Sequence, residues 1–324
     1  MLLHDRHGRS IRYLRLSLTP ACQMRCTYCR PDWLHNTDHT GALTPAELES
    51  LVRHLVDHHG LRKLRLTGGD PTARPDLLEI ITRTASIPKL EPLAMTTNGL
   101  SLASRAAEYV GAGLRRINIS LDALDRECFK AMTGVDGLHR VLNGIDAALD
   151  AGFDSIKLNT VVLRGQNEHE LLRLVRFAAE RDLPIRFIEL MPMGPLADQW
   201  ADRYVPEPEM RRVLQPHVAR WEPLEQGASS ARCSRVTLHD GLTGIVGFIT
   251  PMSCNFCAAC DRLRITSDGS LYPCLMDQPA GSLMAAIRPC FDGALLDRML
   301  NDALSHKQAE HPVNGFVTMT MIGG

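Results

Sequence analysis

Short apolar runs alternate with longer amphipathic segments over the first two-thirds of the chain. Most of the short runs are β-branched or leucine-rich and are followed by Gly, Pro, Asn or Asp, a pattern typical of strands. Six runs of this kind are predicted to be strands: Tyr13–Leu18, Lys63–Thr67, Leu93–Thr97, Arg116–Leu121, Ile156–Leu163 and Ile185–Leu190.

The segments between these strands carry apolar residues at helical spacing. The clearest predicted helix is Pro45–His59, where Thr44 and Glu47 form a capping-box pattern with proline at the first helical position. Gly137–Ala151 is a second predicted helix with one apolar stripe. A third is expected to begin at Asn167, whose side chain would cap it. About six strand-then-helix units in a row predict a parallel sheet in the α/β class.

Six units are fewer than the eight of a full barrel, so the predicted architecture is an incomplete (β/α)6 TIM-like barrel with ligands at the carboxyl ends of its strands. After Leu190 the pattern changes to hairpin-like pieces and a terminal helix. We expect this C-terminal α+β segment to cover the open mouth of the barrel. The predicted division is a barrel domain over residues 1–200 and a C-terminal region over residues 201–324. The hairpin-like pieces are Arg235–Leu238, Gly244–Ile249 and Leu263–Thr266.

The composition of the 324 residues narrows the class of protein. The formal net charge is −1, so attraction to nucleic acid or to an anionic membrane is not expected. No apolar run is long enough to cross a bilayer and the first residues lack a signal-peptide core, so a cytoplasmic protein is expected. Seven of the ten cysteines fall in two tight clusters, and in a reducing compartment clustered thiolates usually hold a metal.

The first cysteine cluster follows the first predicted strand. Cys22, Cys26 and Cys29 have the spacing C-x3-C-x2-C. Three thiolates on one loop can hold three irons of a [4Fe–4S] cube and leave the fourth iron open to a small molecule. The alternative is a zinc site with His35 or His39 as fourth ligand. Structural zinc sites usually pair their ligands as C-x2-C twice, so the iron cluster is favoured.

This loop resembles the cluster loop of the radical S-adenosylmethionine (SAM) superfamily, whose pattern is C-x3-C-x-aromatic-C. The resemblance implies that the three cysteines ligate a [4Fe–4S] cluster and that the amino and carboxylate groups of SAM occupy the open iron. It also implies that Tyr28 lies against the adenine. Asp70 stands where the superfamily usually has Glu. The implied SAM contacts are Tyr28, Gly69, Asp70, Ser120 and Met191.

The second cysteine cluster reads Cys254-Asn-Phe-Cys257-Ala-Ala-Cys260, with Cys274 thirteen residues further on. It resembles that of the GTP 3′,8-cyclases of molybdenum cofactor synthesis, a radical SAM family with the pattern C-x2-C-x13-C and arginines after the second cysteine. The resemblance implies that Cys257, Cys260 and Cys274 hold a second [4Fe–4S] cluster, at whose open iron the guanine binds. Cys254 is additional to that pattern, and four cysteines could instead bind zinc or a fully ligated cluster. We favour three ligands with Cys254 free.

The triphosphate of GTP carries about four negative charges and requires a cationic lining. Arg15, Arg65 and Lys157 lie on predicted strands, where a cation is unusual unless it faces a partner. Each one alone could equally be a surface charge in a salt bridge. The family also has a Gly-Gly tail that reaches into its active site, which implies that role for Gly323 and Gly324. The implied GTP contacts are Arg15, Arg65, Thr96, Lys157, Arg262, Leu263 and Arg264.

The resemblance implies radical SAM cyclisation of GTP to (8S)-3′,8-cyclo-7,8-dihydroguanosine 5′-triphosphate, the first step of molybdenum cofactor synthesis. In the implied mechanism, a 5′-deoxyadenosyl radical released from SAM abstracts hydrogen from C3′ of the ribose. The resulting carbon radical then attacks C8 of guanine. The implied cofactors are two [4Fe–4S] clusters and SAM. The implied partners are GTP, an electron donor and a downstream cyclic pyranopterin monophosphate synthase, and the chain could form a homodimer.

Two other functions are compatible with parts of the pattern. Another radical SAM enzyme with an auxiliary cluster, such as a peptide-modifying maturase, would share the first loop. It would not need the arginines after the second cluster or the Gly-Gly tail. An iron–sulfur electron carrier or a zinc-stabilised binding protein would have four-ligand sites and would not cleave SAM.

Overall fold

A computed structural model describes residues 2–31, 41–225, 230–312 and 319–323 of the chain. Its first six strands lie close to their predicted positions, and each differs by at most one residue at either end. They are β1 Tyr13–Ser17, β2 Lys63–Thr67, β3 Ala94–Thr97, β4 Arg116–Ser120, β5 Ser155–Val162 and β6 Ile185–Glu189. The later strands are β7 Val218–Pro223, β8 Ala231–Leu238, β9 Thr243–Ile249, β10 Arg262–Ile265, β11 Ser270–Tyr272 and β12 Gly281–Ser282.

The strands form one sheet in the order β12-β11-β10-β1-β2-β3-β4-β5-β6-β9-β8-β7. β1 to β6 are parallel neighbours in sequence order, so their carboxyl ends meet at one edge. The C-terminal segment adds a parallel strand to each end of this array, with Tyr13 opposite Arg262 and Ile185 opposite Val246. The ends of the sheet do not join, which confirms the predicted incomplete (β/α)6 barrel.

Eleven helices are described, and those between the strands carry the apolar stripes that pack on the sheet. The helices are α1 Pro45–His59, α2 Leu77–Ala85, α3 Ala106–Gly111, α4 Arg126–Thr133, α5 Leu138–Ala151, α6 Leu171–Ala179, α7 Trp200–Arg203, α8 Glu207–Leu214, α9 Met284–Ile287, α10 Gly293–Ser305 and α11 Met319–Ile322. The capping box predicted for α1 is present, with reciprocal bonds between Thr44 and Glu47. None of the described helices is long and apolar enough to cross a membrane.

The predicted cap of α6 is wrong. The side chain of Asn167 makes no capping bond, and a 3-10 turn, Glu168–Glu170, precedes the α-helix. Its amide oxygen instead accepts from the Leu163 backbone N–H at 2.8 Å, and its amide nitrogen donates to the carbonyls of Asp122 at 2.8 Å and Val161 at 2.9 Å. Asn167 therefore ties together the chain that follows β4 and the end of β5.

The C-terminal strands correspond to the predicted hairpin pieces. β8 and β9 pair antiparallel, as do β10 and β11. Because β9 and β10 join opposite ends of the six-stranded array, the C-terminal segment continues the sheet of the barrel on both sides. The division at residue 200 stays a prediction.

Candidate active site

The carboxyl ends of β1 to β6 surround a chamber that brings together residues distant in the sequence. Many of the predicted site residues line it: Arg15, Cys22, Cys26, Tyr28, Cys29, Arg65, Gly69, Thr96, Ser120, Met191, Arg262 and Arg264. A smaller cavity is lined by Cys257, Cys260 and Cys274. The two spaces share Met191, Arg262 and Arg264 in their walls. The two cysteine triads therefore lie against one continuous region.

The first triad occupies a partly buried loop after β1. Burial raises the pKa of Cys22 to about 12, and the negative charge of Asp70 adds to this. Burial and the carboxylate of Asp122 raise the pKa of Cys26 well above its usual range. A thiolate is thus unfavourable here in the protein alone. Positively charged iron would supply the missing partner, and the loop fits a metal cluster on that ground.

The spacing of the sulfur atoms separates a cluster from a single ion. Thiolates bound to zinc at about 2.3 Å lie within about 3.8 Å of one another. In the described part of the chain, the one trio of possible ligand atoms that all lie within 4.8 Å of each other is His54, His59 and Asp297. Neither cysteine triad has the compact spacing of a single-ion site. His35 and His39, the alternative zinc ligands, lie outside the described residues.

The two glycines after β2 let the chain pass close to the cysteine loop. A Cβ on Gly68 would collide with the backbone oxygen of Thr19, and one on Gly69 would collide with that of Ala21. Gly69 donates its N–H to the Thr19 carbonyl at 2.6 Å. This close approach requires glycine, since any larger residue would displace the loop.

Asp70 is fully buried and does not line the chamber. One carboxylate oxygen accepts from the backbone N–H and the hydroxyl of Thr72, at 2.8 and 2.5 Å. The other accepts from the Thr97 hydroxyl at 2.8 Å and the Asn98 N–H at 2.6 Å. The first oxygen thus stabilises the turn after β2, and the second joins that turn to the end of β3. The predicted contact of Asp70 with SAM stays a prediction.

Tyr28 is buried, and its hydroxyl donates to a carboxylate oxygen of Asp122 at 2.8 Å. This bond fixes the ring of Tyr28 in the wall of the chamber between the first triad and the end of β4. Burial raises the pKa of Asp122 to about 6, against the opposing bond from Tyr28. Asp122 also accepts the Val161 N–H at 2.9 Å and so connects β4 to β5.

The opposite wall of the chamber is cationic. Arg65 on β2 donates to the Tyr13 hydroxyl at 2.6 Å. Burial, followed by the charge of Arg262, lowers the pKa of Arg264 to about 10. Several guanidinium groups have therefore been brought together at a free-energy cost, which an anionic ligand would offset. The arginines lining the chamber are Arg15, Arg65, Arg186, Arg262 and Arg264.

Arg186 on β6 was not among the predicted site residues. It is only 8% exposed, and its Nε and Nη2 atoms have no hydrogen-bond partner among the residues that the structure describes. Burial, followed by the charge of Arg65, lowers its pKa to about 10. The sequence did contain a signal for it, because Arg186 is a cation inside a predicted strand just as Arg15 and Arg65 are.

Three predicted contacts lie at the edge of this arrangement. Lys157 is half-buried on β5 and does not line the chamber, although burial and the nearby charge of Arg186 lower its pKa. Leu263 is buried in the core, so only its backbone could meet a ligand. The carbonyl of Gly323 accepts from Nη1 of Arg264 at 2.5 Å, which brings the tail to the cationic wall. Gly324 lies outside the described residues.

The second triad is assembled from two parts of the C-terminal segment. Cys257 begins the 3-10 turn Cys257–Ala259 after β9, Cys260 follows that turn, and Cys274 follows β11. Burial acts to raise the pKa of Cys260, but the charges of Lys307 and Arg262 outweigh it and the pKa is lowered. These two cations thus stabilise the thiolate of Cys260, whereas burial raises the pKa of Cys257.

Cys254 lies apart from this triad. It is exposed, lines neither cavity, and its thiol lies beside the side chain of Arg232. Its carbonyl accepts from the Thr250 hydroxyl at 3.1 Å. This placement supports three ligands with Cys254 free.

Comparison with known families gives two matches that together cover most of the chain. The Radical SAM superfamily matches residues 16–178, and the family described as Molybdenum Cofactor Synthesis C matches residues 183–313. These spans contain the first and second cysteine triads respectively.

Among curated proteins, the chain is 42% identical to GTP 3′,8-cyclase 1 of Pseudomonas aeruginosa, over 95% of this chain and 93% of that protein. It is 38% identical to GTP 3′,8-cyclase of Pelotomaculum thermopropionicum, over 95% of each. Among solved structures it is similar to Streptococcus suis SuiB bound to the precursor peptide SuiA. That match has a TM-score of 0.61 and 14% identity, and covers 95% of this chain and 76% of SuiB, which speaks for the fold alone.

Proposed function

This chain belongs to the GTP 3′,8-cyclases within the radical SAM superfamily, and we propose that its chamber holds SAM beside the first cysteine triad and GTP between the two triads. The enzyme cyclises GTP to (8S)-3′,8-cyclo-7,8-dihydroguanosine 5′-triphosphate in the first step of molybdenum cofactor synthesis. One observation carries the proposed arrangement. The chamber and the cavity of the second triad share a wall that contains Arg262 and Arg264.

The SAM end is assigned to the loop after β1 and its neighbours. Cys22, Cys26 and Cys29 would hold a [4Fe–4S] cluster, which when bound supplies the electron that cleaves SAM. Tyr28, fixed by Asp122, would lie against the adenine. The remaining SAM contacts are proposed to be the backbone at Gly69, the Ser120 side chain and Met191. Asp70 would act by joining the strand ends that present these groups.

The GTP end is assigned to the cationic wall. Unpaired N–H groups of Arg186 are available for phosphate oxygens, and charge-assisted bonds of this kind are among the stronger ones. The second cluster would be held by Cys257, Cys260 and Cys274, and an iron without a protein ligand would supply a binding site for the guanine. The proposed GTP contacts are Arg15, Arg65, Thr96, Lys157, Arg186, Arg262, Leu263 and Arg264.

The protein's own part in the reaction is to position and enclose the reactants. When SAM and GTP are both bound in the chamber, their reaction no longer requires a collision in solution and proceeds as an intramolecular step. The tail would close the cationic side, because Gly323 is held by Arg264 and lies against Thr67 at the end of β2. An electron donor and a synthase that forms cyclic pyranopterin monophosphate are the proposed partners, and a homodimer is the proposed assembly.

Anaerobic reconstitution tests this assignment. We expect about eight irons per chain, as two four-iron cubes require. With SAM, dithionite and GTP, 5′-deoxyadenosine should form only when GTP is present. About four irons together with one zinc would contradict the second cluster. Cleavage of SAM that ignores GTP but responds to a peptide would favour a maturase.

A further inference from the structure

Lys307 places its ammonium group inside the protein behind the second triad. The residue follows α10 and is only 2% exposed. Lysine is rarely buried to this extent without a counter-charge, because the loss of hydration is costly. Its position therefore calls for a partner of negative charge.

The hydrogen-bond acceptors of this ammonium are neutral. Nζ donates to the carbonyl of Arg262 at 3.2 Å and to the carbonyl of Pro273. Within the part of the chain that the structure describes, no carboxylate forms an ion pair with Lys307. The two carbonyls accept from two of the three N–H donors of the ammonium but leave its unit charge uncompensated.

Both carbonyls belong to the loops that carry the second triad. Pro273 immediately precedes Cys274, and Arg262 lies two residues after Cys260. The positive charge of Lys307 also acts on Cys260, whose thiolate it favours. The uncompensated charge thus lies beside the sulfur ligands themselves.

The missing counter-charge is one that a cluster would bring. A [4Fe–4S]2+ core with three thiolates has a net charge of −1, and one added electron makes it −2. A fixed positive charge nearby stabilises the reduced form more than the oxidised form, since the attraction grows with the charge on the cluster. Net charge is one of the factors that set the reduction potential of such centres.

We propose that Lys307 is a positioning residue that raises the reduction potential of the second centre through its charge. The proposal rests on the second cluster of the proposed function. The half-reaction is the gain of one electron by the cluster with no change in bonds or protons. In the titration that measures it, dithionite is the reductant.

The test compares four full-length holoenzymes: wild type, Lys307→Gln, Lys307→Arg and Lys89→Met. Gln keeps a donor for the two carbonyls but removes the charge. Arg keeps the charge. Lys89 is an exposed lysine on the surface, so its variant is the matched control. Midpoint potentials of the second centre are measured by EPR-monitored redox titration. The measurement is repeated in full-length chains that also carry serine at Cys22, Cys26 and Cys29, so that only the second centre contributes to the EPR signal.

We expect Lys307→Gln to retain about eight irons and to lower the potential. At a fixed potential the oxidised-to-reduced ratio should rise at least tenfold, which is about 59 mV for one electron. Lys307→Arg and Lys89→Met should stay close to wild type. If Gln loses the second cluster while Arg keeps it, the charge is needed to bind the cluster rather than to set its potential, and the proposal is overturned.

An unchanged potential in Lys307→Gln would overturn the proposal, because a residue that only holds the loops needs its donors and not its charge. Equal loss of iron from the Gln and Arg variants would overturn it too. About four irons and no second EPR species in the wild-type enzyme would instead contradict the existence of the second cluster. The iron content and EPR spectrum of the wild type are therefore measured before any variant is compared.

Discussion

At the scale of single residues, the chamber contains a buried guanidinium, that of Arg186, with N–H groups that have no hydrogen-bond acceptor among the described residues. Arg186 is held on β6 beside the positive charge of Arg65, and two of its nitrogens have no hydrogen-bond partner in the described part of the chain. An isolated charge in this position destabilises the folded protein until an anion arrives. The charge of Arg186 therefore increases the affinity for an anionic ligand and lowers the stability of the ligand-free protein.

Replacing Arg186 by Met should weaken GTP binding by about tenfold to hundredfold, as expected for the loss of hydrogen bonds to a charged group. The melting temperature without GTP should not fall, because an uncompensated charge has been removed. Anaerobic calorimetry with GTP, and separately with SAM, measures both effects. SAM affinity should be unchanged, and Arg220→Met, at an exposed residue of β7, is the control. Unaltered GTP affinity would remove Arg186 from the site.

Site residues can be predicted from sequence where few residue types and spacings suit the chemistry. The spacing of Cys22, Cys26 and Cys29 on one loop is tied to a metal whatever the rest of the fold does. Lys157 illustrates the opposite case: its strand position was predicted, yet the structure keeps it out of the chamber lining. Which side of a strand faces a ligand depends on the twist and closure of the whole sheet, and local sequence does not contain that information.

Cys254 provides a separate test at this scale. Cys254→Ser should keep the full iron content and activity, because the side chain is exposed and lines neither cavity. Cys257→Ser is the matched comparison and should lose about four irons. Iron and acid-labile sulfide are counted after anaerobic reconstitution of each variant. Loss of iron from the Cys254 variant would make it a fourth ligand.

Helix beginnings show why some elements can be predicted and others not. The cap of α1 is local, since Thr44 and Glu47 are three residues apart and bond to each other's backbone. Asn167 had the same local signal, but bonds to the segments after β4 and within β5 compete for its side chain. Such tertiary partners are invisible until the strands are in place.

Glu47 also joins the start of α1 to the C-terminal segment, through two bonds with Arg288 of 2.6 and 2.8 Å. We expect Glu47→Gln to lower the free energy of unfolding by about 1 kcal/mol. Glu79→Gln, an exposed partner of Arg83, is the control and should have a smaller effect. Urea unfolding under anaerobic conditions measures both.

The pH dependence of this contribution has a definite sign. The bond with Arg288 is the largest of the effects that lower the pKa of Glu47 to about 2. A depressed carboxyl pKa adds stability above the pKa of the unfolded chain and loses it as the pH falls. The difference between wild type and Glu47→Gln should therefore be constant from about pH 8 to about pH 5 and decrease only below the unfolded value of about 4.3. A change between pH 7 and pH 6 would implicate a histidine instead.

At the scale of the whole molecule, the sheet is completed from both ends of the chain. β1, near the beginning, pairs with β2 on one side and with β10 on the other. The sequence predicted both strands but not their pairing, because nothing local to Tyr13 specifies Arg262 as its neighbour. The six-unit barrel was predictable from its order, whereas the attachment of the C-terminal strands to opposite sides was not.

A chain that ends at residue 200 would contain the six-unit array without β9 and β10. It should aggregate, since β1 and β6 would each present an unpaired edge that can pair with another copy. Light scattering and size-exclusion chromatography of this fragment and of the full chain, at equal concentration, measure the difference. A monodisperse fragment with its helical circular dichroism intact would establish residues 1–200 as an independent domain.

The pairing of β1 with β10 also fixes an order of events during synthesis. On the ribosome, the first cysteine loop emerges long before residues 262–265, which form the neighbouring strand and present Arg262 and Arg264. Until then the growing chain lacks that wall, and the loop is reachable from a side that the finished enzyme closes. The chamber around the first triad is therefore complete only after residues 262–265 have been made and have paired with β1.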